Sequence, residues 1–283
     1  MDRNQILMRT ALAVLAFAGN SLLCRLALKN TAIDAASFTS IRMLSAVAVL
    51  GVLLFATRKM RPHGGDWPSA LALFAYAACF SLAYVNLAAG TGALLLFGSV
   101  QMTMIGTGLL RGERFNSAQT AGLVSAIAGL IGLVLPGLAA PPVTSAALMA
   151  FAGIAWGVYS LRGRGAADPL AVTAGNFLRT LPMAAVFSLL MVGSARVDRA
   201  GVVLAIASGA ITSGLGYAIW YSVLPRLKSM QAATVQLAVP VIAALAATAL
   251  LGEQLSFRLV LASVAILCGI GLVIYEKAKV AKA

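Results

Sequence analysis

Uncharged polar and aromatic side chains recur inside the apolar runs of this sequence, and they are the first candidates for chemistry. Amide and phenol groups can hydrogen-bond the polar ends of a small molecule, while aromatic rings pack against its apolar part. Simple packing and hydrogen bonds between helices are the structural alternatives for the same residues. The candidate binding residues of this kind are Asn20, Tyr76, Tyr84, Asn86, Gln101, Trp156, Tyr159, Tyr217, Trp220, Tyr221 and Gln236.

Two arginines, Arg42 and Arg179, lie well inside apolar runs. An unpaired charge at membrane depth costs several kcal/mol, so such a residue needs an explanation. One explanation is structural, with the guanidinium bonded to helix-end carbonyls or extended toward the interface. The functional alternative is that one of them meets a bound carboxylate. Arg25 lies nearer the end of its run, where reaching the interface is easier.

Acidic groups and histidine are absent from the middle of the apolar runs. All eight acidic residues fall in termini, connections or run ends, and His63 lies in a connection. Proton-driven carriers usually place Asp, Glu or His at membrane depth, because a coupling proton needs a group that changes charge there. Metal-ligand clusters, phosphate-binding loops and nucleophile motifs are also missing. We therefore expect no cofactor, no metal and no enzyme active site.

Composition indicates the class of protein that must position these residues. The chain has 283 residues, 61% of them hydrophobic and 10% charged, whereas soluble domains carry about 25% charged residues. A transmembrane helix needs about 20 mostly apolar residues. Ten such runs can be placed, at roughly 7–28, 35–56, 68–88, 91–110, 117–136, 144–162, 169–193, 200–224, 230–251 and 257–275. The sequence predicts an all-α membrane protein with ten transmembrane helices in the lipid bilayer.

The net charge of +13 reflects membrane topology rather than nucleic-acid binding. Lys and Arg are scattered among short connections and do not form the patch that nucleic acid requires. With the N-terminus inside, 14 of the 21 Lys and Arg fall in cytoplasmic segments and 5 in outer ones; the other two are Arg42 and Arg179. This asymmetry predicts cytoplasmic N- and C-termini.

An internal repeat divides the chain. The segment Leu110–Leu135 returns as Leu250–Tyr275, and in each copy a Gly-Glu pair precedes a new apolar run. Asp34 and Asp168 open the second run of each half. Five runs per half is an odd number, so the second half enters the membrane in the opposite direction. We expect two inverted five-helix repeats, residues 1–140 and 141–283, around a central cavity near mid-depth.

These features together resemble a known family over essentially the whole chain. The paired halves, the Gly-Glu after runs 4 and 9, Trp156-Gly157 in run 6 and Gly216-Tyr217-Ala218-x-Trp220 in run 8 look like the EamA-type exporters of the drug/metabolite transporter superfamily. The chain is most similar to the bacterial inner-membrane amino-acid exporters, including those for aromatic amino acids. It departs from them at Val100, where run 4 lacks the proline that Pro240 supplies in run 9. The two runs therefore need not bend alike.

The resemblance implies an exporter of small metabolites, specifically amino acids, that works by alternating access in the bacterial inner membrane. The missing acids favour facilitated movement over proton coupling. Small residues recur four apart in run 5, and runs 5 and 10 contain few polar residues, so we expect these helices to pack or to form a homodimer contact. Two alternatives stay open: a broad-specificity drug-efflux transporter, and, from another class, a membrane-embedded enzyme acting on lipid precursors.

Overall fold

The computed structural model describes residues 2–57, 64–135, 140–227 and 229–280. In this part of the chain, ten helices are long and apolar enough to cross a membrane, as the sequence predicts, and no strand is present. They are α1 (Arg3–Asn30), α2 (Ala35–Ala56), α3 (Trp67–Tyr84), α4 (Ala89–Leu110), α5 (Ser117–Val134), α6 (Val143–Arg162), α7 (Pro169–Leu190), α8 (Arg199–Arg226), α9 (Gln231–Leu251) and α10 (Phe257–Glu276).

Four aspartates begin four of the helices. Asp34, Asp66, Asp168 and Asp198 precede α2, α3, α7 and α8, and each side chain accepts a backbone N–H of the first turn. Burial alone would raise the pKa of the Asp34 carboxyl, but hydrogen bonds to it lower that pKa below its usual value. A capped start satisfies backbone groups that lipid would leave unpaired. These aspartates therefore cap the first turns of helices in both halves. The equivalent positions of Asp34 and Asp168 in the two repeats agree with this role.

The helices run up and down and pack in matching pairs. Helix α6 packs on α3 and α4, while α1 packs on α8 and α9; α2 packs on α8, while α3 packs on α7. The remaining main pairs are α2 with α7, α4 with α9 and α5 with α10. Each of them joins the two helices that occupy the same place in the order of the first and the second half. Exchanging the two halves therefore reproduces the packing pattern.

Helices α5 and α10 form a pair through small residues. A Cβ added to Gly122 would lie 2.6 Å from the Gly269 carbonyl oxygen, so the two backbones approach too closely for a side chain. The Ser125 hydroxyl donates to the Ala265 carbonyl across the same contact, at 3.1 Å. The small-residue spacing in the sequence thus marks a helix-packing surface within the chain.

Helices α4 and α9 differ, as the unequal prolines predicted. Helix α4 is continuous from Ala89 to Leu110, whereas α9 is interrupted at Leu237, which separates the helical residues up to Gln236 from the segment Ala238–Leu251. Pro240 has no N–H to donate to the carbonyl four residues before it, that of Gln236, so the helix breaks there. Val100 occupies the equivalent position in α4. It retains its backbone N–H, and the helix is not interrupted there.

Candidate functional site

A narrow cavity lies between helices of both halves, and in this conformation its open space is about 10 Å³, room for about one water molecule. Helices α1, α3 and α4 contribute from the first half, and α6 and α8 from the second. The position between the halves is the one that the internal repeat predicted. The lining residues are Phe17, Asn20, Ser21, Tyr76, Phe80, Leu96, Phe97, Trp156, Thr212, Ser213 and Tyr217.

Aromatic rings form one side of the cavity around Phe17 and Trp156. The Phe17 ring packs edge-on against Trp156, with centroids 5.6 Å apart, and against Tyr217 at 5.8 Å. Trp156 also stacks on Tyr76 at 5.9 Å and meets the edge of Phe97 at 5.2 Å. Offset and edge-to-face contacts of this kind hold the rings in place and make this part of the lining apolar.

Hydrogen bonds fix the amide of Asn20, which also lines the cavity. Its Nδ2 donates to the Tyr76 hydroxyl at 3.1 Å. Its Oδ1 accepts from the Ser208 hydroxyl at 2.8 Å, and the Thr212 hydroxyl lies 3.1 Å from it. Asn20 thereby joins α1, α3 and α8. Its carbonyl oxygen accepts from Ser208, while the single hydroxyl proton of Thr212 has the Ser208 carbonyl, at 2.7 Å, as a closer acceptor.

Arg42 of α2 lies immediately behind this polar wall and is 1% exposed. Its Nε donates to the Ser213 hydroxyl and its Nη2 to the Tyr76 hydroxyl, both at 3.1 Å. The guanidinium also lies over the rings of Tyr76 and Phe80, at 5.4 and 5.1 Å from their centroids. Nη1 has no hydrogen-bond partner, and no described acidic side chain forms an ion pair with Arg42.

A wide helical turn in α8 places the hydroxyls that reach Asn20 and Arg42. Residues Ser208–Leu215 form a π-helical segment between two α-helical ones. In such a segment residues five apart share a face, so Ser208 and Ser213 both point at the first half. Gly209 touches the Arg42 carbonyl and the Ser45 side chain of α2 so closely that a Cβ would overlap them. Glycine at this position lets α8 approach α2.

A buried ion pair closes one end of the bundle, where α3 ends and α4 begins; we call this the α3–α4 end. Arg25 donates through Nε to the Glu253 carboxylate at 3.2 Å, and both side chains are about one-tenth exposed. Arg25 Nη1 donates to the carbonyls of Tyr84 and Val85. The second carboxylate oxygen of Glu253 accepts the Ala89 N–H at 2.7 Å. Both charges therefore have partners.

The opposite end of the bundle, where α3 begins, carries a more exposed pair. Arg162 donates to the Asp66 carboxylate at 2.8 Å, with the two side chains 44% and 47% exposed. Burial alone would raise the pKa of the Asp66 carboxyl, but hydrogen bonds from Ser69 and the charge of Arg162 lower it below its usual value. Arg179 is bound nearby: its Nη1 donates to the carbonyls of Gly64 and Gly175.

The sequence and the fold have relatives. A family model described as the EamA-like transporter family matches residues 144–275. A protein of Pseudomonas aeruginosa, described as uncharacterized protein PA1977, is 56% identical over 274 residues, which are 96% of this chain and 95% of that protein.

The chain belongs to the EamA-like transporter family. It is a multi-pass membrane transporter of small molecules, and the family contains transporters rather than enzymes. A protein of known crystal structure has a similar fold, with a TM-score of 0.66 over 96% of this chain and 98% of that chain. The two share 19% sequence identity, so this likeness concerns the fold.

In this EamA-like transporter, five of the predicted site residues come together. Asn20, Tyr76, Trp156 and Tyr217 line the cavity, and Arg42 lies directly behind Tyr76. They come from five helices, which only the packed fold brings together.

Trp220 and Tyr159 form a second layer around the cavity. The Trp220 ring packs edge-on against Phe17 at 5.8 Å. Tyr159 lies 6.3 Å from the Tyr217 ring, and Tyr221 lies 6.1 Å from it. These three residues support lining rings and do not themselves line the cavity.

Other predicted site residues lie away from the cavity. The Tyr84 hydroxyl donates to the Ala89 carbonyl at 3.2 Å at the α3–α4 end, and exposed Asn86 donates to Ser145 there, at 3.4 Å. Arg179 lies at the opposite end, as described above.

The two glutamines of the EamA-like transporter are buried outside the lining. Gln101 of α4 is 2% exposed, and its Nε2 has no hydrogen-bond partner. Gln236 of α9 is 8% exposed, at the break before Pro240. Neither contacts the cavity described here.

Sequence reasoning missed the small polar residues of α8 and three lining rings. Ser208, Thr212 and Ser213 lie in a segment rich in small residues, which is typical of helix packing. Their clustering just before the Gly216-Tyr217 motif is the signal that could have identified them. The three rings, Phe17, Phe80 and Phe97, carry no comparable signal, because phenylalanine is common in any membrane helix.

Proposed function

We propose that this protein exports amino acids, including neutral and aromatic ones, by alternating access. The observation that carries the proposal is the cavity between the halves, which is lined both by aromatic rings and by hydroxyl and amide groups. Rings suit an apolar side chain, and hydrogen-bonding groups suit the polar end of the same molecule. The amino-acid exporters that the sequence resembles support the choice of substrate.

We further propose that residues 1–140 and 141–283 act as two inverted repeats that rock against each other. The symmetric packing of the helices supports this division, because each half supplies equivalent surfaces. The excess of Lys and Arg in one set of connections favours cytoplasmic termini in a bacterial inner membrane. The α3–α4 end, with its buried Arg25–Glu253 pair, is then the periplasmic end.

Transport in this proposal is facilitated diffusion. In the described part of the chain, Asp34, Asp66, Asp168 and Asp198 cap helices, Glu253 pairs with Arg25 at one end of the bundle, and no acidic residue lines the cavity. A coupling proton would need a group that changes charge at that depth. An imposed pH gradient should therefore leave the final distribution of substrate across proteoliposomes unchanged. Substrate accumulation driven by the gradient would contradict this part of the proposal.

Counterflow tests the function directly. Proteoliposomes loaded with unlabelled amino acids should take up the same labelled amino acid transiently against its gradient, and protein-free liposomes should not. Competition by bulky amphipathic cations with the same strength as by amino acids would favour the drug-efflux alternative. Failure of every amino acid in the panel would overturn the proposal.

A further inference from the structure

We infer that the cavity recognises a single carboxylate on its substrate, through the hydroxyls of Tyr76 and Ser213, with Arg42 supplying positive charge behind them. The inference rests on the proposed transport function and specifies the chemical group that the site selects. It follows from the directions of the hydrogen bonds around Arg42.

Each of the two hydroxyl oxygens accepts hydrogen bonds from groups that can only donate. The Tyr76 oxygen accepts from Arg42 Nη2 and Asn20 Nδ2, and the Ser213 oxygen accepts from Arg42 Nε. Guanidinium and amide N–H groups have no lone pair to offer in return. The protons of both hydroxyls therefore need acceptors elsewhere, and none is found for them among the described residues. Both residues line the cavity, so a bound ligand can supply those acceptors.

The charge of Arg42 favours an anion at this position. Its side chain is 1% exposed, its Nη1 has no partner, and no described acid is paired with it. A buried charge without a counterion is costly, and a buried donor without an acceptor adds to the cost. An oxyanion that accepts from the Tyr76 and Ser213 hydroxyls would lie close enough to compensate the charge. Polarisation by the guanidinium also makes the two hydroxyls stronger donors.

One positive charge matches one negative charge, so a monoanionic carboxylate fits better than a phosphate dianion. Glu253 is the only acid paired with a buried arginine in the described residues, and that arginine is Arg25. The Asn20 carbonyl oxygen already accepts the Ser208 hydroxyl at 2.8 Å, which weakens it as an acceptor for a substrate ammonium. The cavity should therefore bind an aromatic carboxylate with or without an amino group, and it should reject the corresponding amide.

Three matched competitors test whether the cavity selects a carboxylate over an amide or a phosphate. Full-length protein in proteoliposomes is assayed for phenylalanine counterflow, with 3-phenylpropionate, phenylalanine amide and phenyl phosphate as competitors. We expect phenylpropionate to compete at concentrations similar to those of phenylalanine. The amide and the phosphate should be about 10–100-fold weaker, because a hydrogen bond to a charged group is worth about one to two powers of ten in affinity.

Variants assign the selectivity to the proposed groups. Tyr76→Phe and Ser213→Ala each remove one hydroxyl and should lower the preference for carboxylate over amide by about 10-fold. Arg42→Gln should lower it further. Tyr84→Phe is the matched tyrosine control and Arg179→Gln the matched arginine control. Both controls should keep the wild-type preference, because their polar groups bind backbone carbonyls outside the cavity.

A second readout, the thermal shift of detergent-purified protein with each probe, distinguishes failure of the site from failure of transport. Equal competition by phenylalanine and its amide, with normal counterflow, would overturn the carboxylate site and leave the transport proposal intact. Thermal stabilisation by phenylpropionate alone, without any flux, would support the site and overturn transport. Neither binding nor flux with any probe would overturn both.

Discussion

Arg25 and Arg42 are two buried arginines with opposite surroundings. Arg25 faces the Glu253 carboxylate and two backbone carbonyls at the α3–α4 end, so its charge and the Nε and Nη1 donors are matched by acceptors. Arg42 meets two hydroxyls and two aromatic rings near the cavity, and one of its nitrogens has no partner. Both lie among helices of both halves.

The difference indicates which arginine holds the fold and which serves a ligand. A buried ion pair with further hydrogen bonds is stable as it stands, and removing one partner leaves a costly single charge. A buried cation without an acid has no such compensation within the chain. Stability should therefore depend on Arg25 and Glu253, whereas substrate selection should depend on Arg42. The following predictions test this division, beginning with the largest expected effect.

Glu253→Gln should cause the largest loss of stability. The substitution keeps the shape of the side chain but leaves Arg25 as a buried unpaired cation, at a cost of about 3–5 kcal/mol. Arg162→Gln breaks the exposed pair at the opposite end and should cost at most about 1 kcal/mol. Reversible unfolding in detergent measures both variants. Equal effects would show that the burial of the Arg25–Glu253 pair is unimportant.

Gly209→Ala should separate α8 from α2. The added methyl group would overlap the Arg42 carbonyl and the Ser45 side chain, so we expect a loss of about 1–3 kcal/mol. It should also reduce transport, because Ser213 would move away from Arg42. Gly51→Ala is the control, since nothing lies within 4 Å of a Cβ at that position. Unaltered stability and flux in Gly209→Ala would contradict the close approach.

Arg42→Gln should reduce phenylalanine counterflow about 10-fold or more while changing the free energy of unfolding by less than about 1 kcal/mol. Removing a cation that lacks an acidic partner relieves an unfavourable burial, which offsets the lost hydrogen bonds. Flux assays and unfolding on the same preparation separate the two effects. Strong destabilisation with normal flux in the folded fraction would place Arg42 with Arg25 as a structural residue.

Ser208→Ala should have the smallest effect. It removes the hydroxyl that donates to Asn20 Oδ1, so the amide loses part of its orientation and stability falls by about 1 kcal/mol. The KM for counterflow should rise a few-fold. Ser125→Ala removes a hydroxyl bond between α5 and α10 and is expected to leave KM unchanged. A KM effect that is equal in the two variants would argue against a special role for Asn20.

The sequence predicted the helices well because each is specified locally. Apolar length marks the ten spans, and Asp34 and Asp168 mark helix starts by a bond to the backbone a few residues away. The unequal bending of α4 and α9 follows from Pro240 alone. These features need no knowledge of distant contacts, so composition and spacing are sufficient to predict them.

The roles of the arginines could not be predicted in the same way. Arg25 is paired with Glu253, 228 positions away, and Arg179 with a carbonyl at Gly64, 115 positions away. Arg42 and Arg179 look equivalent in the sequence, and only packing shows that one binds carbonyls and the other hydroxyls. The π-helical turn that presents Ser213 depends on the close contact between α2 and α8. The homodimer contact stays a prediction.

Occupation of the cavity by substrate is best tested by the fluorescence of Trp156, which packs on Phe17, Tyr76 and Phe97. The chain has three tryptophans, so Trp67→Phe with Trp220→Phe leaves Trp156 as the reporter. We predict that phenylalanine changes its emission saturably, with half-saturation near the KM for counterflow, and that Tyr76→Phe weakens this binding. Counterflow that continues while the emission of Trp156 stays constant would show that the substrate passes elsewhere.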